Sequence, residues 1–239
     1  MKKHIPNTIT LLNLLAGCVA IVMIMEDQPR VAVYLVLAAA LFDFLDGTAA
    51  RKLDAYSRTG KVLDSLADMV SFGVVPALFV YKIFLLQLDT VDPGSVCAQP
   101  WIAPVIQLSP LLIPALAAIR LARFSVHETE PEHFSGLPVP AHTLFWTGIF
   151  YEILTTGGLY GQTVYIWFTW VILVMFSVMM IIPLPMISLK FHHFRFRGNQ
   201  YRYIILAVGL AILLAVQLPG LPLVILTYIL LSLFRIVLT

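Results

Sequence analysis

An all-α integral membrane fold, a bundle of about eight transmembrane helices, follows from three observations on this sequence. Of its 239 residues, 60% are hydrophobic and 12% charged, for a mean hydropathy of +0.91, more apolar surface than a soluble domain needs. Apolar runs of membrane-crossing length recur from one end of the chain to the other. Thirteen of the 15 lysines and arginines fall on one side when those runs alternate across a bilayer.

The first run, near residues 8–25, follows Met1-Lys2-Lys3 and contains Leu15-Ala16-Gly17-Cys18, which imitates a secretory signal with a lipoprotein cleavage box. Val19 to Met25 carry the run past the cysteine, and Asn7, Thr10 and Asn13 put a polar stripe on it, so a retained first helix is expected. The second and third runs, near 31–50 and 64–84, are interrupted by aspartates. The fourth, fifth and sixth lie near 103–125, 140–157 and 163–188. The last two, 203–218 and 221–238, flank the tight turn Leu218-Pro219-Gly220-Leu221-Pro222 and suit either two full spans or a re-entrant hairpin. The longest polar connections are about 85–101 and 126–139.

With the N-terminus in the cytoplasm, only Arg30 and Lys82 lie on the far side, which fits an even number of spans. The aspartates then sit toward the cytoplasmic end. A net charge of +2 is too small to argue for a nucleic-acid partner. Cys18 and Cys97 lack zinc or redox spacing and read as buried or lipid-facing thiols. Trp101 and Tyr160 read as interface anchors. His192-His193 with Arg195 and Arg197 reads as a basic loop near anionic lipid. Glu128, Glu130 and Glu132 form an acidic loop that is either solvated or a gate.

The chemistry concentrates in residues 43–68, DFLDGTAARKLDAYSRTGKVLDSLAD. Asp43 and Asp46 are three apart and Asp64 and Asp68 four apart, so on helices each pair shares a face, with β-carbons roughly 5–6 Å apart. A carboxylate at membrane depth costs about 2.5–3.5 kcal/mol on insertion scales, which marks it as functional. Four together repel unless some are protonated or a cation lies between them. The simplest reading is a cage of hard oxygen ligands for Mg²⁺ or Mn²⁺.

Gly47 follows Asp46, and Ala50 lies three residues further on the same face. Small side chains there leave room for a bulky group to approach the backbone; alone, they would suit close helix packing equally well. Gly60 is expected in the connection leading to Asp64, and Arg51, Lys52, Arg58 and Lys61 surround it. Metal-holding carboxylates, small residues and bases at the rim together describe a diphosphate site.

The order D-x-x-D-G-x-x-A-R, eight residues, G-x-x-x-D-x-x-x-D resembles the signature of the CDP-alcohol phosphotransferases. Asp43, Asp46, Gly47, Ala50, Arg51, Gly60, Asp64 and Asp68 fill every fixed position. The resemblance implies helices around a cytoplasm-facing polar cavity, a homodimer in the cell (inner) membrane, a CDP-linked donor, two divalent cations and release of CMP. It implies that Asp43, Asp46 and Asp64 hold metal and that Asp68 both holds metal and acts as the base. Gly47, Ala50, Arg51 and Gly60 would line the nucleotide and diphosphate site. Asn7, Thr10 and Asn13 could reach the nucleotide or equally make interhelical hydrogen bonds. Residues 1–188 would be the six-helix core, and 189–239 a basic cytoplasmic loop with two additional helices.

Residues 5–145 further resemble the serine-accepting branch of that family, in Ile5-Pro6-Asn7, Leu63 to Gly73, Arg120-Leu121-Ala122-Arg123-Phe124 and Phe134 to Ala141. Ser125 departs from it, at a place where asparagine is expected. The resemblance implies transfer of a phosphatidyl group from CDP-diacylglycerol to L-serine. Arg120 and Arg123 are three apart, and an arginine fork matches the serine carboxylate or a phosphate. Both could instead snorkel to lipid headgroups. The alternatives are a relative that uses glycerol 3-phosphate or an inositol phosphate, and a divalent-cation transporter. A transporter would place its carboxylates nearer the midplane, often within internal repeats.

Overall fold

Helices account for nearly all of the residues that the computed structural model describes, which are 4–126, 134–157, 163–187 and 199–238. Helix α1 (His4–Met25) turns into α2 (Pro29–Lys52) through a short link in which Asp27 takes φ 55°. Pro29 opens α2, where its missing N–H costs nothing. Arg51 and Lys52 close it, cations against the carbonyl end of the helix.

Helix α3 (Arg58–Asp68) begins at Ser57, whose hydroxyl accepts the Gly60 backbone N–H at 3.0 Å, a side-chain cap on the first turn. It does not end at Asp68. A π-helical turn over Met69–Val74 joins it to α4 (Val75–Asp89), giving one apolar helical stretch of 32 residues. A wider turn frees backbone carbonyls from the regular ladder. That of Phe72 is met by the buried Thr143 hydroxyl at 2.8 Å, and the Ser71 hydroxyl donates to the Asn13 carbonyl at 3.0 Å. Gly17 lies where this turn crosses α1: a β-carbon there would be 2.4 Å from Ser71 Oγ.

Helices α5 (Ala103–Leu108) and α6 (Leu112–Val126) follow, then α7 (Val139–Thr156), which stops at Gly157 in the left-handed conformation. Next come α8 (Thr163–Met179), α9 (Gln200–Val216) and α10 (Leu221–Leu238), the last pair joined by a tight 3₁₀ turn at Leu218–Gly220. A two-residue antiparallel ladder pairs β1 (Phe134–Ser135) with β2 (Pro185–Met186). Phe72, Phe79, Phe84, Trp146, Phe150 and Phe176 form the densest part of the core, with Phe79 on Phe150 at 4.5 Å and Phe145 on Phe176 at 4.0 Å between ring centres.

Among the described residues four helices are long and apolar enough to cross a membrane: His4–Met25, Pro29–Lys52, Arg58–Asp89 and Ala103–Ser125. Two expected boundaries need correction. The third run starts at Arg58 and ends at Asp89, so Gly60 lies inside the first helical turn and the 85–101 connection is shorter. The polar Gln87 concealed this; its side chain is buried and donates to Thr169 Oγ1 at 3.1 Å. The sixth helix ends at Met179, because Pro183 and Pro185 prevent its continuation to 188.

At the end of the bundle away from the aspartates, Lys82 pairs with Asp27 at 3.2 Å and Arg30 donates to the Leu154 carbonyl at 3.3 Å. The two basic residues set apart by the charge count therefore sit at one end. Cys18 and Cys97 are both free thiols. Burial pushes the Cys97 thiol up from its ordinary value, which keeps it protonated and inert. Lys2, Lys3, Glu128, Glu130, Glu132, Tyr160, Lys190, His192, His193, Arg195 and Arg197 lie outside the described residues, as does the 188/189 boundary.

Candidate active site

The α2 face carrying Asp43 and Asp46 meets the α3 face carrying Asp64 and Asp68. Asp43, Asp64 and Asp68 each present a carboxylate oxygen within 4.8 Å of the others. Three ionised carboxylates at that spacing repel by about 3 kcal/mol or more per pair at an effective dielectric of 20. Asp46 lies one turn further along α2, outside that group, and is only 5% exposed. Asp46 Oδ2 and Asp64 Oδ1 are buried without a partner among the described residues. Orphaned carboxylate oxygens beside converging ones form a hard, all-oxygen donor set, which suits Mg²⁺ or Mn²⁺.

Helix α1 covers this face. Asn13 is fully buried and donates its side-chain amide to Asp68 Oδ1 at 3.2 Å. Of the two alternatives that the polar stripe left open for Asn13, the structure shows the interhelical hydrogen bond, made to the fourth aspartate. Thr10 is buried, donates to the Pro6 carbonyl at 3.0 Å and lies beside the Asp46 carboxylate. Asn7 lies over α3: a β-carbon on Gly60 would come within 2.9 Å of Asn7 Oδ1. Gly60 is thus explained by packing.

Gly47 is not. A β-carbon there would meet no described residue within 4 Å. A glycine inside a helix costs roughly 1 kcal/mol relative to alanine, and no neighbour among the described residues requires it. The open side of Gly47 adjoins the buried Asp46 and the half-buried Ala50. Arg51, Lys52, Arg58 and Lys61 are exposed around the α2–α3 link, with Arg51 Nη2 3.4 Å from Thr48 Oγ1.

The two arginines of α6 part company. Arg123 is exposed, whereas Arg120 is 6% exposed, with its guanidinium 4.6 Å from the centre of the Phe124 ring. Arg120 Nε and Nη2 have no partner among the described residues, and the side chain lies within electrostatic reach of Asp68 and of Tyr228 on α10. A buried donor left unmatched costs about 1–3 kcal/mol, more when charged, and an anion beside Arg120 would offset that cost. Ser125, at the place where asparagine was expected, shares a 2.8 Å hydrogen bond with Ser65, which ties α6 to α3 beside Asp64. Thr143 and Tyr228 were not legible as site neighbours: one supports the π-helical turn and the other comes from the far end of the chain.

The model of the CDP-alcohol phosphatidyltransferase family matches residues 3–179. A Mycobacterium leprae protein named CDP-diacylglycerol–serine O-phosphatidyltransferase is 36% identical over 189 residues, 76% of this chain and 57% of that protein. The Bacillus subtilis protein of the same name is 33% identical over 138 residues, 58% of this chain and 70% of that one. An archaetidylserine synthase from Methanothermobacter thermautotrophicus is 32% identical over 157 residues, 62% and 60% of the two chains. The chain thus spans between 57% and 60% of the length of the mycobacterial and archaeal proteins just described.

Proposed function

The chain belongs to the CDP-alcohol phosphatidyltransferase family, and from that premise we propose that it transfers a phosphatidyl group from CDP-diacylglycerol to the hydroxyl of L-serine, giving phosphatidylserine and CMP. The observation that carries the reading is the convergence of Asp43, Asp64 and Asp68 within 4.8 Å, with Asp46 buried alongside. The names of the relatives support serine as the acceptor.

Asp43, Asp46, Asp64 and Asp68 would hold two divalent cations, Mg²⁺ or Mn²⁺, which when bound neutralise the diphosphate and stabilise charge on its oxygens. The open side of Gly47 gives the diphosphate access to the α2 backbone, while Ala50, Asn7 and Thr10 shape the nucleotide side, with Gly60 letting Asn7 pack close over α3. The exposed Arg51 guards the rim. Asp68, oriented by Asn13, accepts the serine hydroxyl proton as the oxygen attacks phosphorus. The new bond joins serine oxygen to the phosphatidyl phosphorus; the bond broken joins that phosphorus to the oxygen retained by CMP. Arg120 holds the serine carboxylate through donors that no described residue meets. Arg123, exposed on the same helix, suits lipid headgroups better.

The same reading takes α7 to α10 as further crossings, for eight in all, with the site open to the cytoplasm, residues 189–239 as an added unit and the protein as an inner-membrane homodimer. The 17 or 18 residues of each of these helices and the basic α2–α3 link support the arrangement. The deciding experiment measures CMP release from CDP-diacylglycerol in detergent with serine, glycerol 3-phosphate and inositol phosphate offered in turn. Release with serine is expected. Release with glycerol 3-phosphate and none with serine would overturn the acceptor assignment and leave family membership standing.

A further inference from the structure

The matched family region ends at residue 179, yet α10, more than 40 residues later, reaches into the acceptor side. Its hold is on one peptide unit. The Tyr228 hydroxyl donates to the Ile187 carbonyl at 3.0 Å, and the Ile187 N–H donates to Ser232 Oγ at 3.3 Å. The Ser232 hydroxyl in turn donates to the Tyr228 carbonyl at 2.7 Å. Ile187, Tyr228 and Ser232 are 3%, 5% and 1% exposed. Both polar groups of the Ile187 backbone are thus met by two side chains of α10, one turn apart, where water does not reach. Removing either side-chain hydroxyl would orphan a buried backbone group.

The peptide so held continues a short ladder. Pro185 and Met186 pair with Phe134 and Ser135. Gly136 donates to the Leu184 carbonyl at 2.7 Å, and Leu137 to the Met179 carbonyl at 2.9 Å. Gly136 stands at φ +79°, with its missing β-carbon 2.7 Å from the Met180 carbonyl, so the turn fits only against this neighbour. The Gly136–Pro138 turn leads directly into α7, which packs against α10. Tyr228 also lies within electrostatic reach of Arg120 itself. Its one hydroxyl proton is committed to Ile187, so toward Arg120 it can offer only an acceptor.

We propose that α10 is a working part of the acceptor site, with Tyr228 and Ser232 as positioning residues that clamp the Ile187 peptide, fix the Gly136–Pro138 turn against it and hold Arg120 in register for the acceptor's anionic group. The inference rests on the reading of the chain as a transferase to a hydroxyl acceptor. The donor side, Asp43, Asp46, Gly47, Asn7 and Thr10, is built from α1 and α2 and makes none of these hydrogen bonds. The clamp therefore acts on acceptor affinity and leaves the donor untouched.

The test uses the full chain in detergent, with CMP release followed while serine and CDP-diacylglycerol are varied separately. Tyr228→Phe keeps the ring and removes the hydroxyl; Ser232→Ala removes the other half of the clamp; Ser232→Thr restores a hydroxyl. KM for serine should rise about fivefold or more in the first two, as expected for one buried hydrogen bond. KM for CDP-diacylglycerol should stay unchanged, and Ser232→Thr should recover serine affinity relative to Ser232→Ala. An equal rise in both KM values with a lowered melting temperature would make the clamp merely structural and overturn the proposal, as would unchanged KM values throughout. If the wild-type chain takes glycerol 3-phosphate instead of serine, the same split measured with that acceptor decides the clamp by itself. If it releases CMP with no acceptor, the transferase reading and the clamp fall together.

Discussion

The two ends of the bundle treat charge in opposite ways. At one end, a half-buried Lys82 meets the exposed Asp27 across a 3.2 Å pair, and Arg30 donates to the Leu154 carbonyl. These charges are mutually satisfied and hydrated, and they join helix ends. At the other end, Asp46 Oδ2, Asp64 Oδ1, Asn13 Oδ1 and Arg120 Nε and Nη2 are buried with no partner among the described residues, five of the eight such side-chain atoms found there. A fold does not leave that many desolvated polar atoms unmatched for its own stability. The contrast supports the proposed placement of the guests: cations among the carboxylates on the α2–α3 side, and an anion beside the guanidinium on the α6 side.

The strongest way to break the contrast is to remove the acidic side's function. Chelation should abolish CMP release, with Mg²⁺ or Mn²⁺ restoring it; full activity in excess chelator, with no metal carried through purification, would sink the cage. Asp43→Ala, Asp46→Ala and Asp64→Ala should each remove activity or weaken its metal dependence. Asp68→Asn keeps the shape but not the proton acceptor, and turnover should fall by about 10²–10⁴-fold. Near-normal turnover in that variant would exclude Asp68 as the base.

The basic side comes next. Arg120→Ala should weaken serine use by about 2–5 kcal/mol, the cost of truncating one partner of a buried charge pair, with little change in donor KM. Arg123→Ala should leave serine KM near the wild-type value, because that side chain is exposed. Equal effects of the two substitutions would erase the distinction drawn between them.

A subtler probe is Gly47→Ala. The added methyl meets no atom of the described residues, so thermal unfolding should show a gain of up to about 1 kcal/mol from helix propensity. CMP release should fall, because the methyl stands where the diphosphate approaches. Stability and activity moving in the same direction would refute the assignment of that open side to the donor. The smallest effect belongs to the satisfied end: Asp27→Ala or Lys82→Ala should change stability by at most about 1 kcal/mol, as for other surface pairs, and leave CMP release alone.

The half of the site that the sequence revealed is the half that local spacing controls. Asp43 with Asp46, and Asp64 with Asp68, share faces by helical period alone, and the structure brings three of the four to one point. Where partners come from distant segments, spacing was silent. Asn13 reads as one of three polar residues on a stripe until α1 is laid on α3 and its amide meets Asp68. Arg120 and Arg123 look equivalent by position, and only packing buries one of them. Tyr228 stands in an ordinary apolar helix, with nothing in its neighbourhood to distinguish it. Among the fold elements, the run of residues 58–89 was read short because Gln87 and Asp89 resemble a loop, whereas a cross-helix hydrogen bond lets Gln87 be buried.

The π-helical turn between α3 and α4 has a consequence for how this chain can vary. One long helix serves two unlike customers: its first part turns acidic groups toward a polar site, and its second turns valines and phenylalanines toward the core. A regular α-helix advances about 100° per residue, so the extra residue in the wide turn resets the angular phase between the two parts. Deleting a single residue within Met69–Val74 would leave hydropathy and helix content almost unaltered, yet rotate the whole of α4 relative to Asp64 and Asp68. Conservative substitutions in this turn should be tolerated far better than changes of length, and relatives should keep the count of residues between Asp68 and α4.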